Sequence, residues 1–161
     1  MNVVMQEAKF TTAAYAIFLG LLLSVFAGFG IATFYQAPSA PTFPEEVNPV
    51  NEPDQERQQR DWLEYQERTE QHQSGMEGYH RDVSIISLVI AVFLVGAGLL
   101  LSSKIKVLAD GLLLGGIFTL LYSIGRSFAA EDAAHSFVTL AIALAVVGYL
   151  GYNRFVKSPD K

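Results

Sequence analysis

Four long apolar runs, almost free of charge, constrain this chain more than any motif does: Phe10–Tyr35, Val83–Leu101, Val107–Gly125 and Phe137–Tyr152. A hydrocarbon core of about 30 Å asks for roughly 20 consecutive apolar residues in a helix, and each run comes close to that. The last is the shortest, and Ala133–Phe155 describes its full helix better. Backbone amides in lipid must be satisfied within a helix or a closed barrel. These runs lack the two-residue alternation of barrel strands, which leaves helices. The sequence therefore predicts an all-α integral membrane protein. Its fold is a four-transmembrane-helix bundle, one membrane domain with spans over about 10–35, 83–103, 107–126 and 133–155. The first run is about 26 residues long, well beyond the roughly 7–15 of a signal-peptide core, so it reads as a retained helix.

Between the first two runs lies an acidic insert. Pro41 to Asp82 holds eleven Asp or Glu against four Arg, and this segment accounts for the chain's net charge of −5. No basic stripe is present, so a nucleic-acid partner is not expected. The chain has no cysteine, which excludes disulfides, thiolate metal sites, a thiol nucleophile and lipidation through sulfur.

Four spans put both termini on the side of the Ser102–Lys106 turn. Near the membrane that side carries Lys9, Lys104, Lys106, Arg154, Lys157 and Lys161, six basic residues against three on the other. Basic residues concentrate in cytoplasmic loops. The expected protein sits in the cell (plasma or inner) membrane with both termini cytoplasmic and residues 36–82 outside.

Five of the six prolines fall between Pro38 and Pro53, so Gln36–Pro53 reads as a stiff, extended linker. After it, Asn51 or Asp54 can cap a helix whose first turn accommodates Pro53. Glu56–Arg60, Glu64–Arg68 and Glu77–Arg81 are i,i+4 pairs in the favourable order. A long extramembrane helix over about 54–82 follows, continuous with the second span or bent relative to it near Gly75 and Gly78. It would rise about 43 Å, and the linker could reach about 55 Å, so the geometry closes.

That helix carries one non-polar seam. Trp62, Tyr65, Thr69, His72, Met76, Tyr79 and Val83 follow alternating three- and four-residue steps, the spacing of a coiled coil. The seam can pack on the chain's own linker or on the Arg126–Ser136 loop. It can instead bind a partner or a second copy, with Trp62, Tyr65, Met76 and Tyr79 as the contact residues, or the insert can stay disordered.

Other features carry less. His72, Met76 and His80 share a helical ridge, and imidazole with thioether suits copper, against the plainer reading of packing and solvated histidines. Histidine near its ordinary pKa of about 6.5 could also sense pH. Asp110 is the one acidic residue within a predicted span, which makes it an ion-coupling candidate together with Arg126. Its place one turn into the helix, near Lys106, favours an interfacial anchor. Small residues recur every four positions in the first span (Ala16, Gly20, Ser24, Gly28, Ala32) and the third (Gly111, Gly115, Thr119, Ser123), a pattern that lets helices approach closely. A four-residue row drifts around its helix, so each contact should cover only part of it. Asp132 is the expected N-cap of the last helix.

No phosphate-binding, zinc-protease, nucleophile-elbow or triad constellation is present. The expectation is a protein without cofactor or enzymatic activity, an accessory, scaffold or interaction protein using its outward helix. Its partners are membrane lipid and another membrane or extracytoplasmic protein, or a second copy forming a homo-oligomer. A small transporter or channel component built around Asp110 is the alternative.

Overall fold

The computed structural model describes residues 2–42 and 55–156. They form α1 (Asn2–Phe34), α2 (Gln55–Leu101), α3 (Lys106–Ala129) and α4 (Ala133–Gly151), the last running into a π-helical turn at Tyr152–Val156. All four helices are long and apolar enough to cross a membrane, as a multi-pass membrane protein requires. The proposed caps Asn51 and Asp54, and most of the proline-rich linker, lie outside the described residues.

Two boundaries differ from the expectation, and α2 takes the continuous of the two forms expected for it. α1 begins at Asn2 rather than near Phe10, because the residues before the apolar run include good helix formers such as Met5, Gln6, Glu7, Ala8 and Lys9. α2 is one helix of 47 residues, helical straight through Gly75 and Gly78. At 1.5 Å per residue it is about 70 Å long. The Arg126–Ser136 loop shrinks to 130–132, since α3 continues to Ala129 and α4 starts at Ala133. Asp132 caps α4 as expected, its carboxylate accepting from the amides of Ala134 and His135 at 3.0 and 3.1 Å. Glu131, at φ 53°, makes the left-handed reversal ahead of it.

Helix α3 is the centre of the bundle. It packs most extensively on α2, next on α1, and less on α4, whereas α1 and α2 barely meet. Its buried positions are mainly small: Ala109, Gly111, Gly115, Gly116, Thr119, Ser123 and Ser127 among them. Small side chains bring backbones together in lipid, where no hydrophobic force pulls helix to helix. On the α1 side, Gly20 abuts Gly111, Leu114 and Gly115. A β-carbon at Gly111 would stand 2.5 Å from Leu19 Cδ2. On the α2 side, a β-carbon at Gly116 would lie 2.6 Å from Val95 Cγ2 and 3.1 Å from the Ala91 carbonyl oxygen.

The four-residue row of α1 holds only at one end. Ala16 and Gly20 are buried and Ser24 is half-buried, but a β-carbon at Gly28 would meet nothing within 4 Å. Farther along, Ala27 and Ile31 take over the contact. A step of four residues overshoots a full turn by about 40°, so the inward face passes from the 16–20–24 row to 27–31 by a three-residue step.

Between α2 and α3 the buried polar atoms close on one another. Ser84 Oγ donates to the Ser123 carbonyl at 3.0 Å, and Ser123 Oγ donates to the Ser84 carbonyl at 2.8 Å. Ser87 and Thr119 return their hydroxyl protons to carbonyls of their own helices, Ser87 to Val83 at 2.7 Å and Thr119 to Gly115 at 2.8 Å. Each donor avoids the cost of an unpaired polar group in a dry interior.

Candidate functional site

The densest polar and aromatic chemistry stands where α1 ends, α2 passes from its polar to its apolar half, and α3 nears its C-terminus. α1 stops at Phe34, and Tyr35 still donates its amide to the Ile31 carbonyl at 2.7 Å. On α3, Tyr122 and Arg126 are four residues apart and so share a face. On α2, Tyr79 and Val83 are likewise on one face, flanked by His80 and Asp82.

These side chains interlock. The Tyr35 and Tyr79 rings stack, with centroids 5.4 Å apart and planes within 3°. Tyr35 Oη donates to Asp82 Oδ2 at 2.5 Å. The Arg126 guanidinium lies 5.6 Å from the Tyr79 ring centre and 5.4 Å from that of Tyr122, within cation–π range of both. Its Nε donates to Tyr122 Oη at 3.1 Å. Its Nη1 lies 2.8 Å from His80 Nδ1. A guanidinium only donates, so His80 Nδ1 accepts, and the neutral imidazole carries its proton on Nε2. Burial, and then the charge of Arg126, hold the His80 pKa below its ordinary 6.5. Beneath the ring stack, Ile31, Tyr79 and Val83 form an apolar cluster joined by Met76, Ile90 and Tyr122.

The arrangement ties three helices together. Three tyrosines, an arginine and a neutral histidine form a collar around that junction.

The candidates from the sequence are distributed unevenly across it. Tyr79, His80 and Arg126 meet in the collar, and Met76 packs against its apolar floor. Tyr79 is 8% exposed, whereas Trp62 is 54% exposed and lies edge-on to Tyr65 at 6.3 Å. Tyr65, Thr69, His72 and Met76 are each half-buried, so the seam is the less exposed edge of the polar half of α2. Near Gly75 it is approached by Pro38, 3.5 Å from where a β-carbon would be. Glu64 and Arg68 form their i,i+4 ion pair at 2.6 Å.

His72 and His80 stand about 12 Å apart along the axis, too far to hold one ion. Among the described residues, no group of three His, Asp or Glu side chains is placed to bind a metal. His72 Nδ1 is buried without a hydrogen-bond partner among those residues. Asp110 is half-buried near the start of α3, about 24 Å along the helix from Arg126, so the two do not share a site.

Two features escaped the sequence. Asp82 looked like one more acid of the insert, and its pairing with Tyr35 spans 47 positions. Ser84 and Ser123 pair between helices. A faint signal existed for Ser87, which extends the Met76–Tyr79–Val83 spacing by four. Comparison with family models, curated proteins and solved structures finds no match for the chain.

Proposed function

We propose that this is a non-enzymatic accessory, scaffold or interaction protein of the cell membrane, with cytoplasmic termini and the first half of α2 held outside to engage a partner. The partner is another membrane or extracytoplasmic protein, or a second copy. The continuity of α2 supports the reading best. One unbroken helix runs from an apolar half packed on α3 to a polar half where Trp62 and Leu63 are 54% and 58% exposed. Exposed tryptophan beside tyrosine is the composition of a binding hot spot. A continuous helix would transmit the position of that surface to the bundle without a hinge. The excess of basic residues near the termini and the Ser102–Lys106 turn supports the orientation.

The test is the oligomeric state and interaction profile of the protein in mild detergent, with photo-crosslinkers at positions 62 and 65. Capture of a defined partner or a second copy, weakened at least tenfold by Trp62→Ala/Tyr65→Ala, is expected. A monomer whose crosslinks are all internal would refute the proposal.

A further inference from the structure

The poor contact between α1 and α2 leaves an open apolar groove of about 580 Å³ between them. Ala27, Gly30, Ile31 and Phe34 line one wall and Ile86 and Ile90 the other. Gly30 keeps it open, since a β-carbon there would meet nothing within 4 Å. The α1 wall runs from Leu23 to Tyr35, about 18 Å along the helix. One leaflet of the hydrocarbon core is about 15 Å deep.

The end of the groove has a different chemistry. Tyr35 lines it and also donates to Asp82, which places that carboxylate at the mouth. Arg81 Nε is 4.0 Å from Asp82 Oδ1, and the two side chains are 54% and 45% exposed. An acid and a guanidinium side by side complement a headgroup that carries an ammonium and a phosphate. The carboxylate accepts N–H donors, and guanidinium suits phosphate oxygens.

We propose that the α1–α2 groove binds one acyl chain of a phospholipid with a primary ammonium headgroup, of the ethanolamine class. Asp82 receives the ammonium and Arg81 the phosphate. This rests on the chain spanning a membrane and is independent of what the outer half of α2 binds.

The test is native mass spectrometry of the delipidated full chain, exposed to an equimolar mixture of dioleoyl phosphatidylethanolamine, phosphatidylcholine and phosphatidylglycerol. One ethanolamine lipid per chain should be retained, preferred about tenfold over the other two, as one charge-assisted hydrogen bond allows. Choline has no N–H to donate, and the glycerol headgroup has no ammonium. Gly30→Trp, which fills the groove, should abolish retention. Gly30→Leu should reduce it in a variant that disturbs the helix pair less. Asp82→Asn, which can still accept from Tyr35, should erase the preference for ethanolamine over glycerol. Equal retention of all three lipids by the wild type, or undiminished retention by both Gly30 variants, would overturn the proposal.

Discussion

The two halves of α2 share one helix and one inward stripe, yet fill that stripe with opposite kinds of residue. In the apolar half the buried positions are Val83, Ser84, Ser87, Ala91, Val95 and Gly98, small side chains that let α3 come close. In the polar half, up to Gly78, the described residues include no buried one, and the same stripe carries Trp62, Tyr65, His72 and Met76. Where lipid is the solvent, association rewards close backbone approach and hydrogen bonds between helices. If the polar half stands in water, as proposed, apolar area does the work there, and large side chains supply it. The Tyr35–Tyr79–Arg126 collar sits where α2 changes from one kind of residue to the other.

The sharpest way to break the comparison is to exchange the regimes. Gly116→Leu forces a side chain into Val95 and the Ala91 carbonyl. It should cost about 1–3 kcal/mol or more, as overpacking does, and lower the thermal unfolding midpoint in detergent. In the polar half, Gly78→Ala meets nothing within 4 Å. It should stabilise by about 1 kcal/mol through helix propensity alone. If both substitutions shift the midpoint the same way, the two-regime picture fails.

A smaller effect belongs to the serine pair. In a double-mutant cycle of Ser84→Ala and Ser123→Ala, the coupling should be about 0.6 kcal/mol, the average for such bonds within membranes. Coupling at zero would mean that the reciprocal bonds in the dry half are replaceable. Smaller again, Trp62→Ala should move stability by no more than about 0.5 kcal/mol, since the residue is largely exposed. A large loss would show that Trp62 is structural and count against the proposed contact.

The collar carries a directional expectation. His80 is held below its ordinary pKa of 6.5, so the unfolded chain binds the proton more readily. The contribution of neutral His80 to stability is fully present above about pH 6.5 and is lost as pH falls from there through the folded-state pKa. Protonation also removes the acceptor for Arg126 and places two cations together. Unfolding midpoints of wild type and His80→Gln, followed from pH 7.5 to 5, should diverge on the acid side, with the variant losing less. Parallel curves would exclude the collar as the cause.

Much of this architecture was legible because lipid imposes a simple rule. Length and lack of charge in the four runs gave the four helices, and short-range chemistry gave the Asp132 cap and the Glu64–Arg68 pair. Those interactions lie within one turn of chain, where spacing alone decides who meets whom. The small-residue rows marked α1 and α3 as packing helices, and Gly20, Gly111 and Gly115 do meet. They did not say that Ala27 and Ile31 would replace Gly28, because that depends on where the neighbouring helix crosses. The tertiary structure alone made α3 central, paired Tyr35 with Asp82, seated Arg126 between two tyrosines and a histidine, and left the α1–α2 groove open. Each depends on the relative rotation of helices remote in sequence, and helical periodicity carries no information about that rotation.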